Sequence, residues 1–129
     1  RVMFIGGRTS APGGTPQGGG VPTVQFWSTA AGIEGVTASM LSGRYDHAAT
    51  LLEDGSVLIM GGVIAAGGAS AERLVPQGST FAGEALAEPL QEARSLGAVT
   101  PLPNNQVMYS GGLLEGVGSS DLVEVYFGR

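Results

Sequence analysis

Apolar residues along this chain come in short runs set between polar and glycine-rich stretches. Val2-Met3-Phe4-Ile5 opens it, and Val24-Gln25-Phe26-Trp27, Val57-Leu58-Ile59-Met60, Ala71-Glu72-Arg73-Leu74-Val75 and Val123-Glu124-Val125-Tyr126-Phe127 follow. Short β-branched and aromatic runs bounded by turn formers predict antiparallel strands. Glu53-Asp54-Gly55 carries an Asp-Gly pair that favours a tight hairpin, because glycine tolerates positive φ. Asn104-Asn105 occupies the matching turn, asparagine being the next-best residue there. The one stretch with helical spacing, Gly83 to Ser95 with Glu84, Glu88 and Glu92, contains Pro89 and so predicts an outer strand and a loop.

The pattern repeats along the chain. Arg44 to Gly62 (RYDHAATLLEDGSVLIMGG) lies over Arg94 to Gly112 (RSLGAVTPLPNNQVMYSGG) without a gap. Arg44 meets Arg94, Ala48 meets Ala98, Thr50 meets Thr100, Leu52 meets Leu102 and Val57 meets Val107, while Gly61 and Gly62 meet Gly111 and Gly112. The opening Val2 to Gly7 repeats the second half of that unit. After each double glycine comes a Gly- and Ser-rich loop and then a strand, in which Gln25, Glu72 and Glu124 hold equivalent places. Four short strands recurring at about fifty residues is the period and strand count of a propeller blade.

Arg44, His47, Gly61, Gly62 and Glu72 together resemble the kelch repeat: Arg-x-x-His near the first strand, a hydrophobic strand ending in Gly-Gly, then a Glu-bearing strand and a later aromatic. The third unit departs at Gly97, where the pattern has His. The late aromatic is Phe81 in the second unit, and Ile33 takes its place in the first. The resemblance implies an all-β fold, a partial β-propeller of four-stranded antiparallel kelch-type blades. Residues 1–43 would form an incomplete blade with its second to fourth strands, 44–93 a complete blade, and 94–129 the first three strands of another. Propellers close with about four to eight blades, so the remaining blades are expected from the same or other chains.

Composition narrows the functions. Eleven acidic residues stand against six Arg and no Lys, a formal net charge of −5, which argues against phosphate-backbone binding and against docking on an anionic membrane. The apolar stretch from Val57 to Ala71 is short of the ~20 residues a membrane span needs and is broken by glycine pairs, so no membrane insertion is expected. There is no cysteine, which removes disulfides and thiolate chemistry. The 23 glycines lack the strict every-third spacing of collagen and read as punctuation between strands.

Candidate chemistry is sparse, and no cofactor or metal is expected. His47 is the only histidine and reads as a hydrogen-bonded structural residue beside Arg44. Arg44 with Arg94, and Glu72 with Glu124, recur with the repeat and point to scaffold; charge-assisted bonds between them would hold each unit's register. Gly111 to Gly116 has P-loop-like glycine spacing without the Lys-Ser/Thr that phosphate binding needs, and no Gly-x-Ser-x-Gly elbow occurs. The kelch resemblance also admits an enzyme reading, a fragment of a copper-radical oxidase similar to galactose oxidase or of a sugar isomerase. Its active residues would then lie outside this segment. A third reading is a purely structural subunit of a large assembly. The first choice is a protein- or glycan-binding or scaffolding module of a secreted or cell-envelope protein. Its ligand would meet the loops after the double glycines, at Arg8 to Pro22, Val63 to Ser70 and Leu113 to Ser120, with Arg8, Thr9 and Glu115 as polar contacts.

Overall fold

The computed structural model describes residues 1–10, 16–64, 70–88 and 90–128, and among them the chain is all-β, with no helix. It begins with β1 (Val2–Ile5), a hairpin of β2 (Arg8–Ser10) and β3 (Pro16–Gly20), then β4 (Thr23–Ser28) and β5 (Gly32–Ser39). The middle runs through β6 (Arg44–Tyr45), β7 (Ala48–Leu51), β8 (Val57–Met60), β9 (Val63–Ile64), β10 (Ala71–Gln77) and β11 (Thr80–Ala85). The last part holds β12 (Ala98–Leu102), β13 (Gln106–Ser110), β14 (Leu113–Leu114), β15 (Gly118–Ser119) and β16 (Val123–Phe127).

Three antiparallel sheets carry the fold, in the orders β1-β4-β5, β7-β8-β10-β11 and β12-β13-β16. Each is a meander, because every long strand pairs with the next long strand in sequence. Two small two-stranded sheets, β2-β3 and β14-β15, sit in the connections after double glycines, and a third pairs β9, just after Gly61-Gly62, with β6 ahead of β7. The expected outer strand is β11, which ends at Ala85; Pro89 lies outside the described residues.

The central sheet is buried on both faces. Alternation along β8 sends Val57 and Ile59 to one side, where they meet Val24, Phe26, Met40 and Leu74. Leu58 and Met60 point the other way and pack with Leu52, Ala71, Val107 and Tyr109. Two adjoining hydrophobic layers result. At about 1.5–3 kcal/mol for each fully buried aliphatic side chain, these layers are the main force stacking the sheets.

The hairpins follow their sequence chemistry. The Gly55 amide donates to the Leu52 carbonyl (3.0 Å) and the Leu52 amide to the Ser56 carbonyl (2.8 Å), with Gly55 at φ 84°. This is a three-residue loop closed by a left-handed glycine. At the matching turn Asn104 and Asn105 are both left-handed, at φ 61° and 57°.

Candidate functional site

The residues that recur in sequence come together at the joints between sheets. Gly6-Gly7, Gly61-Gly62 and Gly111-Gly112 share one conformation, φ near +65° followed by φ near +100° (63/111, 69/95 and 67/102). Each first glycine donates its amide to the residue just before or at the start of the next long strand: Gly6 to Thr23 (3.0 Å), Gly61 to Ser70 (2.8 Å) and Gly111 to Leu122 (3.3 Å). The second glycine turns toward the following unit. Gly7 donates to the Arg44 carbonyl and Gly62 to the Arg94 carbonyl, both at 2.9 Å.

Each of these arginines therefore offers its carbonyl to the preceding unit and its guanidinium to its own. Arg44 is fully buried; its Nη1 donates to the Gly61 carbonyl (2.9 Å) and its Nη2 to Glu72 Oε2 (2.7 Å). Arg94 repeats the scheme, with Nη1 to the Gly111 carbonyl (3.1 Å) and the Leu122 carbonyl, and Nη2 to Glu124 Oε2 (2.9 Å). The carboxylates have a second duty that the sequence pattern does not display. Glu72 Oε1 accepts the Leu41 amide and Glu124 Oε1 the Gln91 amide, each at 2.7 Å, and residues 41 and 91 are themselves repeat equivalents. One ion pair thus ties three segments of chain. Burial lowers the Arg44 pKa and Glu72 opposes that effect, so the guanidinium stays charged. Removing one partner of such a buried pair costs about 3–5 kcal/mol, since the other is left uncompensated.

The departure at Gly97 has a packing reason. In the second unit His47 fills the joint with the first: a side chain on Gly6 would meet His47 Cε1 at 2.9 Å. In the third unit the corresponding space over Gly61 belongs to Tyr109, whose hydroxyl donates to the Arg94 carbonyl (3.2 Å). A Cβ on Gly97 would lie 2.4 Å from the Tyr109 ring, so a histidine there is excluded. Tyr109 stands where the second unit has Ile59, and the pair His47/Ile59 is exchanged for Gly97/Tyr109. The fixed offset of fifty in the sequence carries this size exchange, but its meaning needs the cross-strand neighbours Val99 and Tyr109 to be known.

His47 is held neutral-leaning. Burial and the nearby Arg44 lower its pKa from 6.5, while a hydrogen bond to the Ile5 backbone works the other way. Among the described residues no group of three or more His, Asp or Glu side chains is gathered that would hold a metal ion, and no helix is long and apolar enough to cross a membrane.

The loop residues are spread out. Arg8, on β2, places its guanidinium 4.9 Å from the centre of the Tyr45 ring, and Thr9 is exposed beside it. Glu115 is exposed in the turn between β14 and β15, which the Val117 amide closes on the Leu114 carbonyl (3.1 Å). Arg8 and Thr9 thus belong to the β2-β3 hairpin and Glu115 to the β14-β15 hairpin, two separate small sheets. Residues 11–15 and 65–69 of the first two loops lie outside the described residues. The Arg8–Tyr45 stack joins two residues far apart in the chain, and no spacing or motif in the sequence links them. No family model matches the chain, and a search of curated proteins finds none that matches it.

Proposed function

We propose that this chain is a stretch of a kelch-type β-propeller that works as a non-catalytic recognition and scaffolding module, with the remaining blades supplied by the same or other chains. The observation that carries the reading is the duplicated joint: Arg44, Glu72, Gly61-Gly62 and the Leu41 amide, then Arg94, Glu124, Gly111-Gly112 and the Gln91 amide, in one arrangement. Groups that recur at every joint and spend their polar atoms on one another hold geometry. Sheets of three, four and three strands in meander order agree with an incomplete, a complete and an incomplete blade. Ligand recognition falls to the connections after the double glycines, where Arg8 lies exposed over Tyr45. The ligand class is a protein or a glycan, and secretion or attachment to the cell envelope follows from the resemblance of Arg44 to Gly62 to bacterial kelch repeats.

A glycan array and a panel of surface proteins, probed with the wild-type chain and with Arg8→Ala and Glu115→Ala, test it. The expected result is a ligand whose affinity falls about tenfold in Arg8→Ala, the loss seen when one of the minority of energetically important contacts is truncated. Binding indifferent to both substitutions, or turnover of an array sugar, would overturn the reading.

A further inference from the structure

The two joints share a backbone but not all of their side chains. Gly7 and Gly62 bond the Arg44 and Arg94 carbonyls alike, and Asp46 and Leu96 are both left-handed, at φ 55° and 59°. On this common frame the first joint carries Arg8, Tyr45 and Asp46, where the repeat places Val63, Ser95 and Leu96 at the second. A cation, a phenol ring and a carboxylate are thus exchanged for two aliphatic side chains and a serine. Groups that hold the joints recur at both, so these three residues serve something that the second joint does not do.

Backbone packing brings Arg8 to Tyr45. Gly20 presses on β6 so closely that a Cβ there would lie 2.2 Å from the Arg44 Cα. Arg8 is paired with Gly20 across the β2-β3 hairpin, and its guanidinium comes to rest 4.9 Å from the centre of the next ring along, Tyr45. Cation–π attraction to the ring orients one face of the guanidinium, and its planar fork of N–H donors stays open to solvent, since Arg8 is exposed. Its charge is also unspent. Arg1, Arg44, Arg73 and Arg94 pair with Glu34, Glu72, Glu84 and Glu124 at 3.0, 2.7, 3.3 and 2.9 Å, and Arg8 is the one arginine among the described residues without a carboxylate partner. In a chain of eleven acidic side chains, a stacked and exposed arginine kept apart from them has its fork free for an anion from outside.

We propose that Arg8, stacked on Tyr45, and the adjoining Asp46 form a recognition site for a terminal uronate residue of an acidic glycan. The guanidinium takes the sugar carboxylate through two parallel N–H···O bonds, and the exposed Asp46 accepts a bond from a sugar hydroxyl. Charge favours this ligand over an acidic peptide. One cation beside one anion suits a molecule that brings a single carboxylate together with neutral hydroxyl donors, whereas a run of Asp or Glu side chains would meet Asp46 and a net charge of −5. The inference deepens the recognition reading and rests on it, narrowing the ligand at the loop that carries Arg8.

Methyl glucuronide is the probe, titrated into the full isotope-labelled chain and followed by NMR, with methyl glucoside, acetate and a tetraglutamate peptide as comparisons. The glucuronide should shift the Arg8 Nε and the Tyr45 and Asp46 amides saturably and leave the β13 amides unmoved. Arg8→Ala should weaken binding by about tenfold, the loss of hydrogen bonds to a charged group, with the thermal midpoint close to wild type. Arg8→Lys should restore only part of it, since lysine keeps the charge without the fork. Asp46→Asn keeps a residue that accepts the left-handed turn, and should lessen the preference for glucuronide over acetate by about threefold. No saturable shift with the glucuronide would overturn the uronate site, as would full recovery in Arg8→Lys. Glucoside binding as tightly as glucuronide, or the peptide binding more tightly than either, with the binding lost in Arg8→Ala, would also overturn the uronate while the recognition reading stands. An array ligand that binds equally well to wild type, Arg8→Ala and Glu115→Ala would instead overturn the recognition reading beneath it.

Discussion

Gly61 and Gly111 hold the same repeat position and the same left-handed backbone, at φ 69° and 67°, yet their surroundings differ. A Cβ on Gly61 would lie 2.2 Å from the Tyr109 hydroxyl and 2.5 Å from the Arg94 carbonyl, whereas one on Gly111 meets nothing within 4 Å. Gly111→Ala should therefore cost only the left-handed penalty, about 1–2 kcal/mol. Gly61→Ala adds a clash with backbone, and its loss of stability in urea melts should be at least twice as large; equal losses would mean that the joint does not close as described. His47 gives the residue scale a pH signature. Its folded pKa lies below 6.5, so as pH falls the unfolded chain takes up the proton first. Stability owed to the neutral imidazole is whole above 6.5 and is lost as pH falls from there through the folded value. The urea midpoint should thus drop between about pH 7.5 and pH 5.5, and His47→Gln should flatten that drop. Asp54, whose carboxyl Ser56 holds below 3.8, acts in a separate, more acid window.

At the scale of strands and joints, exchange between units is the sharpest test of the repeat. Gly97→His alone drives a side chain into the Tyr109 ring and should destabilise strongly; Tyr109→Ile alone opens a cavity and removes the bond to the Arg94 carbonyl. Together they install the second unit's solution in the third. The double variant should be more stable than the sum of the single losses predicts, by about 0.5–3 kcal/mol in a double-mutant cycle, and strict additivity would refute the exchange. The strands themselves were readable from sequence: alternation and turn residues placed β4, β8, β10 and β16, because short strands between glycines leave few other ways to bury apolar side chains. The recurring Arg and Glu were readable as partners by type. What escaped the sequence depends on neighbours distant in the chain. The Leu41 and Gln91 amides bonded to Glu72 and Glu124 involve backbone groups that every residue possesses. Left-handed Asp46 and Leu96, at φ 55° and 59°, are joined by the Leu96 amide and the Asp46 carbonyl (2.9 Å); aspartate visits that conformation more readily than most residues, but leucine gives no sign of it. The Arg8–Tyr45 stack is of the same kind, since Tyr45 in a short strand reads as core until β2 is placed above it.

At the scale of the whole molecule, the two terminal sheets each turn an apolar face outward. On the first, β1 sets Val2 opposite Trp27, which in turn faces Ile33, and these with Phe4 are exposed on one side while Met3 and Ile5 face the core. On the last, Val123, Val125 and Phe127 are exposed and Tyr126 faces inward. In the scaffold reading both faces take neighbouring blades, so the isolated chain carries two unsatisfied surfaces of unlike shape. Unlike surfaces associate head to tail, which gives open chains of molecules rather than closed pairs. Sedimentation velocity of the wild type should show species that grow with concentration. Phe4→Lys blocks one face and Val125→Lys the other, so each variant alone should stay monomeric. An equimolar mixture should stop at the dimer, because one intact face of each kind remains to meet the other. If either variant still dimerises alone, a face pairs with its own copy about a two-fold axis, and the head-to-tail stacking expected of consecutive blades does not govern these surfaces.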